Sequence, residues 1–146
     1  MKLFLLIAIF TLVACVNINN TPEGALQDFV EARIGKIVDR EFVLERVTGK
    51  MLQSFENMDD EDFAKFSDMS NVKTDSFKLL SKSCLDKKCF ITYSIGYLTK
   101  RDDKVVFSSE VKKIAEMVQV ETKWLIADVS NIKTYHESLE SINALE

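Results

Sequence analysis

The chain has 146 residues, of which 47% are hydrophobic, and its formal net charge is −4 at pH 7. This is the length of one domain, with ample apolar content for a core. The acidic excess is modest and spread along the chain, which argues against nucleic-acid binding, because that function needs a clustered basic face.

The first fifteen residues, MKLFLLIAIFTLVAC, combine a positive start at Lys2, an apolar run, and the small residue Ala14 before Cys15. A secretory signal peptide has these parts in this order. A cysteine directly after the small residue is typical of bacterial lipoproteins, in which its thiol takes a diacylglycerol and it becomes the first residue of the mature chain. We therefore predict lipidation at Cys15, a signal peptide over residues 1–14 and a short tether over residues 15–20.

Two alternatives stay open for this segment, an ordinary secretory signal and a retained anchor. The apolar run is shorter than the ~20 residues of a membrane-spanning helix, which favours removal. Removal leaves 132 residues with a formal charge of −5, held at the membrane by acyl chains but otherwise soluble. Val16 is not the aspartate that signals inner-membrane retention in enteric bacteria. The predicted location is therefore the outer membrane of the cell envelope, facing the periplasm.

A helix is predicted to begin at Thr21-Pro22-Glu23, which supply an N-cap hydroxyl, a proline in the first turn and an acid near the positive end of the helix dipole. Gly35 is expected to end or break this helix. Apolar residues recur at the helical period and predict a buried stripe made of Leu26, Phe29, Val30 and Ile37.

Two more helices are predicted before the hydrophobic period changes. Asp39 can cap a helix with apolar residues Phe42, Val43, Val47, Met51, Leu52 and Phe55. Residues 59–62 are four acids in a row before Phe63 and Phe66, as expected of the first turn of a third, short helix. A calcium site is the alternative, but the glycine and the spaced later ligands of a calcium loop are missing.

The second half of the chain has the period of strands. Apolar residues from Cys89 to Tyr97 alternate with polar or small ones, which indicates a strand with two unlike faces. Polar turns at residues 85–88, 101–104 and 121–122 separate it from a strand through Phe77, a long bulged strand over Val105–Val120 and a last strand over Trp124–Val129. The pattern predicts a four-stranded antiparallel meander. Its register near residues 110–114 stays open, because a one-residue slip exchanges the faces.

Helices followed by a meander make an α+β fold with the helices on one face of the sheet. The helical opening, the Gly35 break, the strand Glu110–Val120 and the closing segment Lys123–Val129 resemble the small lipoproteins of the nuclear transport factor 2-like superfamily, the cystatin-like α+β roll. The resemblance covers about Thr21–Lys133 and implies a cone-shaped domain over residues 21–135, with a curled sheet and a pocket beneath the helices. Residues 136–146 are expected to form a tail or a short helix.

Cys84 and Cys89 flank the turn at residues 85–88, and symmetric pairing of the strands places them opposite one another. An exported chain is expected to oxidise such a pair, so we predict a disulfide. A redox pair activated by Lys87 and Lys88 is the alternative, but four intervening residues do not make a CxxC motif. A structural zinc site needs four ligands, but these two cysteines and His136, the single histidine, supply only three.

No residue is assigned a catalytic role, and no metal or cofactor is expected. Enzymes of the similar fold place an acid, a histidine or a tyrosine in the pocket, which makes Asp128, Tyr93, Tyr97 and Glu110 the catalytic candidates, whereas His136 has no evident acid partner. The residues expected to line the pocket are Tyr93, Tyr97, Trp124 and Asp128. For Trp124 the main expectation is a core position beneath the helices, and pocket lining is the alternative. The predicted function is non-enzymatic, namely binding of a small apolar ligand or an envelope protein, with a homodimer through the sheet face as a further interaction. The alternative is a small pocket enzyme of isomerase or dehydratase type.

Overall fold

The computed structural model describes residues 21–139, and within them four helices precede four strands. The helices are α1 (Pro22–Arg33), α2 (Arg40–Leu44), α3 (Gly49–Glu56) and α4 (Asp60–Ser67). The strands are β1 (Val72–Leu85), β2 (Lys88–Arg101), β3 (Lys104–Val120) and β4 (Lys123–Ser138). The predicted lipidation site Cys15 and the segment 140–146 lie outside the described residues.

The helix starts follow local capping chemistry. The Thr21 hydroxyl accepts a hydrogen bond from the Gly24 amide at 3.1 Å, and Pro22 opens α1. Carboxylates of Asp39 and Asp59 accept from amides at the starts of α2 and α4, at 2.7 and 2.8 Å. Each contact satisfies one of the backbone donors that a helix start leaves without a partner. The capping interpretation of the acidic run at residues 59–62 is therefore confirmed.

Two details of the predicted helices are wrong. Helix α1 ends at Arg33, Gly35 turns with φ +71°, and Ile37 beyond it is 69% exposed instead of buried. The predicted second helix is two helices, because the chain between them pairs with β4. The Ile126 amide donates to the Arg46 carbonyl at 3.0 Å, and the Thr48 amide donates back to the Ile126 carbonyl at 2.9 Å. A contact with a distant strand thus overrides the local helical pattern.

The sheet is antiparallel, with strand order β1-β2-β3-β4. Its turns lie at the predicted polar positions. Asp102 and Asp103 both have positive φ, at 49° and 61°, which tight hairpin turns of type I′ require. Asp and Asn adopt this conformation more readily than most residues. Local turn chemistry therefore brings each strand back beside the one before it.

The predicted curled α+β roll is wrong, because more than half of the described residues lie in a sheet that is not strongly curled. The bulge expected within Val105–Val120 occurs only near its start, between β2 and β3. Other bulges fall on the edge strands, at residues 75 and 80 of β1 and residues 127 and 132 of β4. The central pair β2 and β3 stays in register from Lys88 to Thr99.

The helices are much shorter than the strands that they cover. Helix α1 spans about 18 Å at the usual helical rise, whereas β3 would span about 58 Å when fully extended. The core between them includes Leu26, Val43, Ile91, Met117 and Ile126, which are all fully buried. The helices therefore cover only part of one face of the sheet. Within residues 21–139, no helix has the length and apolar character needed to span a membrane.

Cys84 and Cys89 form the predicted disulfide, with their Cα atoms 4.0 Å apart and directly paired across β1 and β2. Cys89 is fully buried and faces the helices, while Cys84 lies exposed on the edge strand. The neighbouring Lys88 is engaged with Glu116 at 2.6 Å. The bond closes a short loop worth roughly 2 kcal/mol by chain entropy, so it mainly holds the register of the hairpin.

We expect thiol alkylation of unreduced, denatured protein to label neither Cys84 nor Cys89, because their sulfurs are bonded. Alkylation followed by mass spectrometry checks this, and the same sample after reduction, in which both residues should be labelled, is the control. Full labelling of both cysteines without reductant would contradict the disulfide.

Candidate functional site

A cavity of about 230 Å³ lies between α1 and the sheet, and we call it the helix–sheet cavity. Its apolar wall comes from α1, α3, α4, the loop after α4 and the sheet, and includes Leu26, Phe29, Met51, Phe66, Met69 and Ile95. Four polar side chains complete it, namely Arg33, Tyr93, Tyr97 and Lys113. An apolar wall with a few convergent polar groups is the usual composition of a small-molecule site.

The polar groups reach the helix–sheet cavity from three elements. Arg33 is the last residue of α1, and Tyr93 and Tyr97 project from the same face of β2, four residues apart. Lys113 pairs directly with Tyr93 across β2 and β3, which places both side chains on the helix-facing side. The antiparallel register therefore brings together groups that are distant in sequence.

Arg33 is held mainly by backbone and aromatic contacts. One guanidinium nitrogen, Nη2, donates to the Phe66 carbonyl at 3.0 Å. The guanidinium carbon lies 3.8 Å from the centre of the Phe66 ring and 5.4 Å from that of Phe29. Its Nε is buried and has no hydrogen-bond partner among residues 21–139. Two cation–π contacts position Arg33, but they leave a buried donor unused.

Burial alters the titration of the groups around the helix–sheet cavity. It raises the pKa of Tyr93 and Tyr97 above the ordinary phenol value. It lowers the pKa of Lys113, and the nearby Arg33 charge lowers it further. Burial also lowers the pKa of Arg33. The two tyrosines are thus neutral hydroxyl donors at neutral pH, and the two cations repel one another across a poorly hydrated space.

The other candidate residues lie elsewhere. Trp124 is half-buried, packs against the edge of the core and pairs with Gln119 on β3, outside the helix–sheet cavity. Asp128 lines a second, more open cavity of about 260 Å³ beside Gly49 and Glu116, and its carboxylate accepts from the Val129 amide at 2.8 Å. Of the four residues predicted to line one pocket, the structure brings together only Tyr93 and Tyr97.

Glu110 and His136 do not form an acid–base site. Glu110 is exposed on β3. His136 is exposed on β4, and its Nδ1 lies 2.7 Å from the Ser109 hydroxyl, which faces it in the register. That register places His136 eight residues along β3 from Met117, the partner of Cys89, or about 27 Å away. The histidine therefore cannot join the cysteines in one site.

Arg33 and Lys113 were not among the residues predicted for the site. Arg33 reads as an ordinary cation in the last turn of a helix, and Lys113 follows Lys112 in a strand of mixed polarity. Alternation along β3 is the signal that could have identified Lys113. Residues 111, 113, 115 and 117 share one face of the strand, and residues 111, 115 and 117 are apolar. A lone lysine in that series indicates a polar feature on a buried face.

Metal binding has no evident place in the described residues. Within residues 21–139, no group of three or more His, Cys, Asp or Glu side chains is arranged to hold an ion. The helix–sheet cavity contains cations and phenols, which do not favour a metal cation. Its donor set instead suits an anion.

No protein-family model matches the sequence, and no curated protein gives a significant match. Among solved structures, the fold is similar to the solution structure of a SEC-C motif containing protein from Rhodopseudomonas palustris. The two share 10% sequence identity with a TM-score of 0.58, over 79% of this chain and 81% of that one. At such low identity the likeness concerns the fold alone.

This comparison corrects the resemblance drawn from the sequence. The expected membership of the nuclear transport factor 2-like superfamily is wrong, because the structural neighbour is a SEC-C motif protein and the sheet lacks the strong curl of that roll. Local capping and turn chemistry produce the features on which the resemblance was based. These are a capped helix, a glycine break and a long strand followed by a strand that contains Trp124. Because these features are local, they do not by themselves select a superfamily.

Proposed function

We propose that this protein is a lipoprotein of the cell envelope, anchored by lipid in the outer membrane and facing the periplasm. Its folded domain binds a small ligand without catalysing a reaction. The observation that carries the membrane tether is the segment MKLFLLIAIFTLVAC, which ends in Leu12-Val13-Ala14-Cys15. The disulfide between Cys84 and Cys89 supports export, since such bonds persist in oxidising compartments.

The helix–sheet cavity supports binding over catalysis. An isomerase or dehydratase needs a general acid or base within reach of its substrate, and among the described residues of this cavity only Tyr93, Tyr97 and Lys113 are of a type that could take that role. No aspartate, glutamate or histidine is among the residues that line this cavity. Its wall is mostly Phe, Met and aliphatic side chains, and its tyrosines have pKa values raised away from neutral pH. Such a lining suits the retention of a small molecule. Binding of an envelope protein and formation of a homodimer through the sheet face remain further predictions.

The tether is tested by Cys15→Ser. We expect wild-type protein to incorporate a labelled fatty acid and to sediment with membranes, because the acylated cysteine inserts its chains into the bilayer. The variant should lose the label and leave the membrane fraction. Cys84→Ser is the matched control, since it removes a different thiol and should keep the label. Undiminished labelling of Cys15→Ser would contradict the proposal.

A further inference from the structure

We infer that the helix–sheet cavity binds a small organic acid, with the carboxylate held by Arg33 and Lys113 and the apolar body against Phe29, Phe66 and Ile95. This inference rests on the proposed ligand-binding function and names its ligand class.

The cavity holds two positive charges that have no acidic partner in the described part of the chain. Arg33 and Lys113 both line the helix–sheet cavity, and neither forms an ion pair with a carboxylate among residues 21–139. Buried or half-buried cations are normally paired, because removing a charge from water is costly without a partner. Arg33 and Lys113 face the same cavity with no acidic side chain of the described residues between them, so their positive charge is not neutralised. A bound anion would relieve both the desolvation and the mutual repulsion.

The polar side chains of the cavity have hydrogen-bond donors that no protein group within residues 21–139 uses. Nε of Arg33 is buried without a partner. The hydroxyls of Tyr93 and Tyr97 and the ammonium of Lys113 make no hydrogen bond to any side chain or backbone group among the described residues. All four groups can donate. A carboxylate is the matching acceptor, and arginine binds it with directed, charge-assisted hydrogen bonds.

The volume and the apolar wall of the helix–sheet cavity indicate what kind of anion would fit. A volume of about 230 Å³ lies below the ~300–1,000 Å³ typical of pockets for drug-sized ligands. Most of the wall is apolar, from Leu26 and Phe29 on the helix to Ile95 and Val129 on the sheet. A bare inorganic anion would leave this apolar surface uncovered. The wall therefore favours a compact acid with a hydrocarbon or aromatic body.

The test uses full-length protein in lipid nanodiscs and 4-fluorobenzoate as the probe, followed by fluorine NMR. Empty nanodiscs correct for partition of the probe into lipid. We expect saturable binding of 4-fluorobenzoate and at least tenfold weaker binding of neutral 4-fluorobenzamide, which has the same ring. Inorganic phosphate should displace the acid only weakly, because it cannot fill the apolar wall.

Arg33→Met should weaken 4-fluorobenzoate binding about 10- to 100-fold, the range expected for loss of hydrogen bonds to a charged group. Because this variant also loses its ring contacts, Lys113→Met provides a second test and should weaken binding about tenfold. Arg46→Met is the matched control. Arg46 also lies over an aromatic ring, 3.9 Å from the centre of Phe42, but it is outside the helix–sheet cavity, so binding should be unchanged.

The outcomes separate this inference from the proposed function. Equal binding of the acid and the amide, unaffected by Arg33→Met and Lys113→Met, would overturn the acid assignment and leave a cavity for apolar ligands. Phosphate binding as tight as that of 4-fluorobenzoate would overturn the requirement for an apolar body. Absence of saturable binding by every probe to folded protein would overturn both the inference and the ligand-binding function, while the tether would still be judged by Cys15→Ser.

Discussion

Phe55→Ala is expected to reduce the free energy of unfolding by about 3–5 kcal/mol, the usual cost of truncating a buried aromatic side chain. Phe55 is only 4% exposed. Its ring packs edge-on against Phe63, with centroids 6.4 Å apart, and tilted against Phe66 at 4.6 Å. Truncation would remove the centre of this cluster and leave a cavity. Because single domains have about 5–15 kcal/mol of stability in total, the variant should be marginally folded.

Urea unfolding checks this, with fluorescence of Trp124, the single tryptophan, as the signal. Phe90→Ala is the matched control, since Phe90 lies on the sheet and is 43% exposed. It should lose less than about 1 kcal/mol, as most surface substitutions do. Equal losses in the two variants, or a loss below about 1 kcal/mol for Phe55→Ala, would contradict the packing of α3 and α4.

Arg40→Met is expected to reduce the free energy of unfolding by about 2–3 kcal/mol, in the range for hydrogen bonds to a charged group. Arg40 Nη1 donates to the carbonyls of Phe55 at 2.6 Å and Met58 at 2.9 Å. Nη2 donates to the carbonyl of Asp59 at 3.3 Å. The guanidinium thus joins the end of α3 to the start of α4. Its contact with the exposed Asp60 carboxylate adds little, because water screens that pair.

Urea unfolding of Arg40→Met and Arg40→Lys separates geometry from charge. The lysine variant keeps the charge, but its compact ammonium cannot replace the planar fork that serves three carbonyls, so it should recover only part of the loss. Arg46→Met should lose less than about 1 kcal/mol, because its hydrogen bond to the Phe42 carbonyl is local and its ion pairs with Asp28 and Glu45 are partly exposed to water. Full stability of Arg40→Lys would show that charge alone accounts for the effect.

Both substitutions also bear on the helix–sheet cavity. Phe66 belongs to the same aromatic cluster as Phe55 and lies under the guanidinium of Arg33. Helix α4, which carries Phe66, is joined to α3 through Arg40. The orientation of Arg33, the predicted anion-binding residue, therefore depends on the packing of Phe55 and Arg40, which do not line the cavity.

The sequence by itself determined the features whose physics is local. Thr21, Asp39 and Asp59 cap helices because a short oxygen-bearing side chain before a helical run meets free backbone amides. The turns between strands follow from short polar segments, and the pairing of Cys84 with Cys89 follows from symmetry about one of them. The alternation of β2 predicted which of its side chains face the helices, including Tyr93 and Tyr97. Each of these depends on residues only a few positions apart.

Only the tertiary structure decided the rest, because it depends on contacts between distant residues. The helix break before Thr48 exists because Ile126, far along the chain, bonds to its backbone. The bulges of the edge strands fall where the partner strands pair with them, which no single strand reveals. Arg33 has no distinguishing signal in the sequence, and Lys113 has only its place in an otherwise apolar alternation, so only the packing of α1 on β3 makes them neighbours. The candidate site is therefore a product of the fold, since its charge comes from two residues that meet only when the helix lies on the sheet.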